Sequence, residues 1–303
     1  QIAALSTTNI AELETTQLSA LTTTQARGLT AAQIGRLDQT QAENLAVTQL
    51  QQFNASQVAG LSAANLAALA TTQIQGLGST QVAGISTTQL AALTTGDIGE
   101  FANTQVAALN STQVANLAAT QVAAFSAGQF GALSSAQVGR LTTTNLNALE
   151  TTQLNALTTT QIGGLTSTQV GALSTTVLDS FVATQIAALS TAQIAALSTT
   201  NIAELETTQL DAFATTQMAA LGAGGAAALT ETGAQSLLAT QIAALTTGQI
   251  SSLSAGDLSD FSTTQMGLFT TTQVRSFSSA VMSGLSATYF SSLQTTQLSS
   301  LST

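Results

Sequence analysis

The side chains of this 303-residue sequence that could do chemistry are almost all oxygen. They are 14 carboxylates and long rows of Ser and Thr hydroxyls. Two acidic pairs, Glu12/Glu14 and Glu204/Glu206, are candidates to hold a cation with help from neighbours. Two carboxylates without the ligand loop of an EF-hand make no calcium motif, so both pairs read as solvated surface. There is no His and no Cys. The hydroxyls therefore have no imidazole base, and there is no thiolate and no zinc site of the usual kind. No catalytic, cofactor-binding or metal-ligating residue is assigned, and no cofactor. The basic residues Arg27, Arg36, Arg140 and Arg275 are scattered, and the net charge is −10. That balance gives no footprint for nucleic acid.

What positions these oxygens is a repeat. Starting at Gln1, the sequence falls into 38 octads without insertion or deletion, the last lacking one residue. The consensus is Gln-Ile-Ala-Ala-Leu-Ser-Thr-Thr. Position five is Leu, Ile or Phe throughout, and position two is always apolar. Position one is Gln in 27 octads, and every charge avoids positions two and five. Two positions thus point inward and six tolerate solvent or neighbours. Residues 1–18 and 193–210 are identical, which suggests growth by segmental duplication. Gln and Thr interrupt every apolar pair, so no span of about 18 apolar residues forms a membrane helix.

A continuous helix fits an octad poorly, because eight residues turn through about 800° and the apolar stripe drifts about 80° per repeat. In a strand, positions two and five would face opposite sides. A β-solenoid with a bend in each octad is the alternative fold, disfavoured by the frequent Ala-Ala and the lack of fixed turn residues. A run of very short helices fits best. Position six is Ser, Thr, Asp or Asn in 25 octads, the preferred N-cap set. Ser-x-x-Gln, as at Ser190 and Gln193, is a capping box. Ser6 and Ser198 are further caps of this kind. Ile and Leu at positions two and five lie on one face of such a helix. The expected architecture is an all-α solenoid of one-to-two-turn helices, one per octad, with three or four octads per superhelical turn. The predicted core includes Ile2, Leu5, Ile10, Leu13, Leu157, Ile162, Leu165, Ile194, Leu197, Ile202 and Leu205.

Residues 1–303 read as one continuous array, irregular at 225–240. There Gly225 and Gly233 replace Gln, and Ala226 and Ala234 replace the large apolar residue. A hinge or ligand notch is one reading, and drift in a tolerant array is the other. Tyr289, the lone Tyr, stands in a Gln position as a candidate interface aromatic. Gln1 and Thr303 both fall inside the pattern, with neither a signal peptide nor a capping repeat in view. An uncapped solenoid must continue into more protein or meet a copy of itself. The array is therefore expected to be part of a longer protein or of an end-to-end fibre.

The phrases "LTTTQIGGL" (157–165), "LSTAQIAAL" (189–197) and "LNSTQVANL" (109–117) resemble the Thr/Gln/Ala-rich repeat tracts of large bacterial surface proteins, adhesin-like and loosely called haem-utilisation proteins. The resemblance spans the whole chain and implies a secreted, repetitive surface protein, with no catalytic residue carried over. A haem role has no His, Cys or Lys to support it. The phrase also resembles the first helix of the DNA-reading repeats of plant-pathogen effectors, but those units are far longer and basic. The expected function is a non-enzymatic structural repeat protein, an extracellular or cell-surface rod, filament or matrix component. Its partners are copies of itself, end to end or side by side, and surface glycans. The alternative is a binding module whose regular Thr rows match ice or carbohydrate.

Overall fold

The computed structural model describes residues 1–301; Ser302 and Thr303, which close the last octad, lie outside the described residues. The chain divides into two compact units, Gln1–Ala156 and Leu157–Thr303. In each, the octad makes one short helix. After a three-residue 3-10 turn at Ile2–Ala4, the helices are four to six residues long, as in Thr191–Ile194, Ser79–Ala83 and Thr151–Ala156. No strand occurs among the described residues, so the β-solenoid does not apply.

The local logic repeats. Position six is the N-cap, with φ near −70° and ψ near 157° at Ser198. Positions seven and eight open the helix, and positions one and two of the next octad complete its first turn. Position five is again extended, as at Leu93 with φ −69° and ψ 135°. The chain therefore alternates one helical turn with two extended residues. No residue among those described takes a positive φ. Every link lies in backbone regions open to any L-residue, which is why the octad needs no Gly or Pro at a fixed place.

Helices this short do not hold alone; they stack. In the first unit Ala31–Ile34 packs on Ala55–Gly60, and in the second Ser167–Gly171 packs on Thr191–Ile194, each pair three octads apart. Hydrogen bonds between turns join residues 28 and 31 apart, as from Gln81 to Phe53 and Leu50. A separation of 28 is three and a half octads. One turn of each coil thus lies between three and four octads, and each helix sits over the gap between two below it.

The small residues at positions three and four allow this approach. A Cβ on Gly60 would lie 2.6 Å from the Ala31 carbonyl oxygen, and one on Gly171 would lie 2.6 Å from that of Ala196. Positions two and five fill the interior: Ile10, Leu157, Ile162, Leu165, Ile194, Leu197, Ile202 and Leu205 are buried. In the second unit Phe261, Phe269 and Phe277, successive position-five residues, meet edge to face at 5.3 and 6.0 Å between ring centres. Three expected core residues differ. Leu5 is 39% exposed, and Ile2 and Leu13 are half-buried, because no turn stacks on the outer side of the first one.

Candidate functional site: the glutamine ladder between turns

Position one is the third inward position, which corrects the expectation of two. Gln33, Gln81, Gln121, Gln193 and Gln249 are all buried. Asn201, expected to face outward, is 2% exposed. A buried primary amide must satisfy both its oxygen and its nitrogen, and the octad provides for both.

The oxygen caps its own helix. Gln193 Oε1 accepts from the Ser190 N–H at 2.6 Å, while Ser190 Oγ accepts from the Gln193 N–H at 3.3 Å. Ser6 Oγ accepts from the Asn9 N–H, and Ser198 Oγ from the Asn201 N–H, each at 3.0 Å. Where position six has no acceptor, the glutamine half of the box persists. Gln73 Oε1 accepts from the Ala70 N–H at 2.7 Å and Gln121 Oε1 from the Ala118 N–H at 3.0 Å.

The nitrogen reaches the turn before. Gln193 Nε2 donates to the carbonyls of Ile162 at 2.9 Å and Leu165 at 2.7 Å. Gln81 Nε2 donates to Leu50 and Phe53, both at 2.7 Å. These carbonyls lie at the C-terminal end of a helix, where acceptors run short of intrahelical partners. Those of Ile162 and Leu50 also accept from the N–H groups of Leu165 and Phe53, while those of Leu165 and Phe53 have the amide nitrogen alone among the described residues. One side chain thus closes the N-terminus of its own helix and the C-terminus of a helix one turn earlier. Repeated octad after octad, it forms a buried amide ladder along each coil.

The exceptions follow from chain length and charge. Asn is one methylene shorter and reaches one carbonyl only: Asn65 that of Leu37 at 2.7 Å, Asn201 that of Leu173 at 3.1 Å. Asp97 and Asp257 accept from the N–H groups of Thr94 and Ser254, both at 2.7 Å, but a carboxylate has nothing to donate across the turn. Tyr289 keeps the inter-turn bond by other means, its hydroxyl donating to the Ser259 carbonyl at 2.6 Å. The lone Tyr thus acts as a rung. Sequence reasoning placed Gln in the capping box but missed the donor half. The signal was present: a capping box accepts Glu as readily as Gln, yet Glu never occupies position one.

Both acidic pairs are exposed, as expected of solvated surface. Glu12 and Glu14 are exposed on the first turn. Glu204 and Glu206 border a notch of about 330 Å³ with Leu205, Thr230, Thr232 and Gly233, next to the missing rung. Asp179 faces the same acidic pair. Burial, then the charges of Glu204 and Glu206, push its carboxyl above the ordinary range. Asp260 is raised likewise by burial, then by Asp257 and Glu231. No group of three or more His, Cys, Asp or Glu is arranged to hold a metal among the described residues. No helix among them is long and apolar enough to cross a membrane.

A family model described as the ALTTAQ repeat matches residues 63–95, 106–143 and 143–175, about a third of the chain. The six letters of that name read on positions four to eight and one of the octad, seen here as "ALTTTQ" at 156–161. The chain is similar to that repeat over three consecutive segments. A search of curated proteins returned no match.

Proposed function

We propose that the protein is a structural repeat protein that works without catalysis: an extracellular or cell-surface rod, filament or matrix component. One observation carries the reading. A single inter-turn interface, made of the apolar pair and the amide rung, recurs along each unit, as expected of a quasi-one-dimensional scaffold. The ALTTAQ match and the likeness to bacterial surface-protein tracts favour the same role.

Self-association end to end deepens it. On the first turn Leu5 is exposed, and no carbonyl accepts from the exposed Gln17 and Gln25 amide nitrogens among the described residues. On the last, Phe290 is 43% exposed beside a depression of about 480 Å³ that Phe277, Met282 and Leu301 help to line. In the chain's own register the next rung after Gln297 falls opposite the carbonyls of Val274 and Phe277. A turn of a second copy stacked on this face would supply it.

Electron microscopy and light scattering test the reading. Rods that lengthen with protein concentration are expected. A monodisperse, compact particle of 30.4 kDa at all concentrations overturns it. The Thr-row alternative draws on the exposed Thr at the first two positions of helices such as Thr159–Gly163 and Thr199–Ala203. Thermal hysteresis or glycan binding by the monomer, without assembly, would favour it instead.

A further inference from the structure

We propose that residues 222–237 form a built-in seam, the interior place where the coil of the second unit opens first. Two features shared by these two octads, and one of the first of them alone, point there; the second keeps the bonds from Gln265 Nε2 to the carbonyls of Ala234, Gln235 and Leu237. First, the ladder lacks two consecutive rungs. Gly225 and Gly233 stand where Gln would donate to Leu197 and Leu205, and neither carbonyl accepts a hydrogen bond among the described residues. These leucines are 8% and 6% exposed, against 3% for Leu189.

Second, the octad at 225–232 is unstapled from the other side as well. The rung that would reach Leu229 is Asp257, whose carboxylate only accepts. The inter-turn bond that remains on helix Ala223–Ala227 is an exposed one, from Ser252 Oγ to the Ala223 carbonyl at 3.0 Å. Third, the interior is thinner. Ala226 and Ala234 occupy core positions filled by Ile, Val, Leu or Met in the octads around them. Helix Ala223–Ala227 also carries Gly224 and Gly225, and glycine is the weakest helix former after proline. Close approach to Thr247–Ser252 keeps the turn in register but does not replace the missing apolar surface.

Local opening follows local stability: segments with few buried apolar contacts and few inter-element bonds exchange their amides first. Hydrogen–deuterium exchange on the full chain at neutral pH tests the seam. Peptides covering 197–206 and 222–237 are expected to exchange at least about tenfold faster than those covering 209–221 and 241–253. A repaired variant carrying Gly225→Gln, Ala226→Ile, Gly233→Gln and Ala234→Ile should bring them to their neighbours' rate. Ile202 Cδ1 and Leu210 Cδ1 lie 2.7 and 3.0 Å from where the new Cβ atoms go, and both are movable chain ends. A converse variant, Gln209→Gly, Leu210→Ala, Gln217→Gly and Met218→Ala, should create a second fast-exchanging stretch whether or not the repair folds. Uniform protection across 185–274 in the natural chain, or no new fast stretch in the converse variant, overturns the proposal.

Discussion

Replacing Gln121 tests the ladder most directly. It is buried, its Oε1 accepts from Ala118 N–H at 3.0 Å, and its Nε2 donates to Leu90 at 2.8 Å and Leu93 at 2.9 Å. Gln121→Met keeps size and removes all three bonds. The Leu90 carbonyl still accepts from the Leu93 N–H at 3.1 Å, and the half-exposed Ala118 N–H can find water. The Leu93 carbonyl is stranded. A stranded buried acceptor costs about 1–3 kcal/mol and each of the two replaceable bonds about 0.5–1.5, so the expected loss is about 2–6 kcal/mol.

Gln121→Glu keeps the capping oxygen but aims a carboxylate at two carbonyls. An uncompensated buried charge costs about 3–5 kcal/mol. The folded state then holds the proton more tightly than the unfolded one, so the carboxyl is raised above its ordinary value. The penalty is full above that raised value and fades as pH falls toward about 4.3, the unfolded Glu value. The protonated acid caps Ala118 and donates to Leu93, restoring most of the rung. Urea unfolding followed by circular dichroism reads the global loss. Because repeat arrays can lose two-state behaviour, hydrogen exchange over 86–96 and 118–125 reads it locally. Gln75, exposed, with one weak bond to the Glu100 carbonyl at 3.3 Å, is the control and should change by no more than about 0.5 kcal/mol. If Gln121→Met is as mild as Gln75→Met, or Gln121→Glu tracks the natural chain at every pH, the ladder is not what joins the turns.

Other outcomes follow from the same geometry. Leu165→Ala should cost about 2–5 kcal/mol in urea unfolding, and Leu5→Ala far less, because the first is buried and the second is 39% exposed. Tyr289→Phe should lose about 0.5–1.5 kcal/mol, and Tyr289→Gln should recover it, if the hydroxyl bond to Ser259 acts as a rung. Asp179 is raised by burial and by Glu204 and Glu206, so its charged form opposes folding. That penalty is absent below its unfolded value and grows as pH rises through the folded one. Asp179→Asn should therefore stabilise the second unit at neutral pH and not in acid; equal effects at both pH values refute the assignment.

The octad made the helices legible. Ser190-x-x-Gln193 is local chemistry, complete within four residues, and the capping box forms as the spacing requires. The pair Ile194 and Leu197 reads as core for the same reason, since both fall on one face of a single turn. The turn type needed no special residue, so the absence of fixed Gly and Pro was informative rather than puzzling.

Contacts between octads could not be read this way. Whether the Gln193 nitrogen faces water or the carbonyls of Ile162 and Leu165 depends on a stacking offset of 28 and 31 residues. That offset is set by how closely small residues let two turns approach, as at Gly60 on Ala31. The same offset made Tyr289 a rung as well, and placed Glu204 and Glu206 at the edge of the notch left by Gly233. By itself the sequence determined the helix, its cap and its apolar face, because these are set within one phrase by backbone geometry and side-chain type. Only the tertiary structure decided where the second half of each glutamine goes, because a hydrogen-bond donor is assigned by the neighbour it meets.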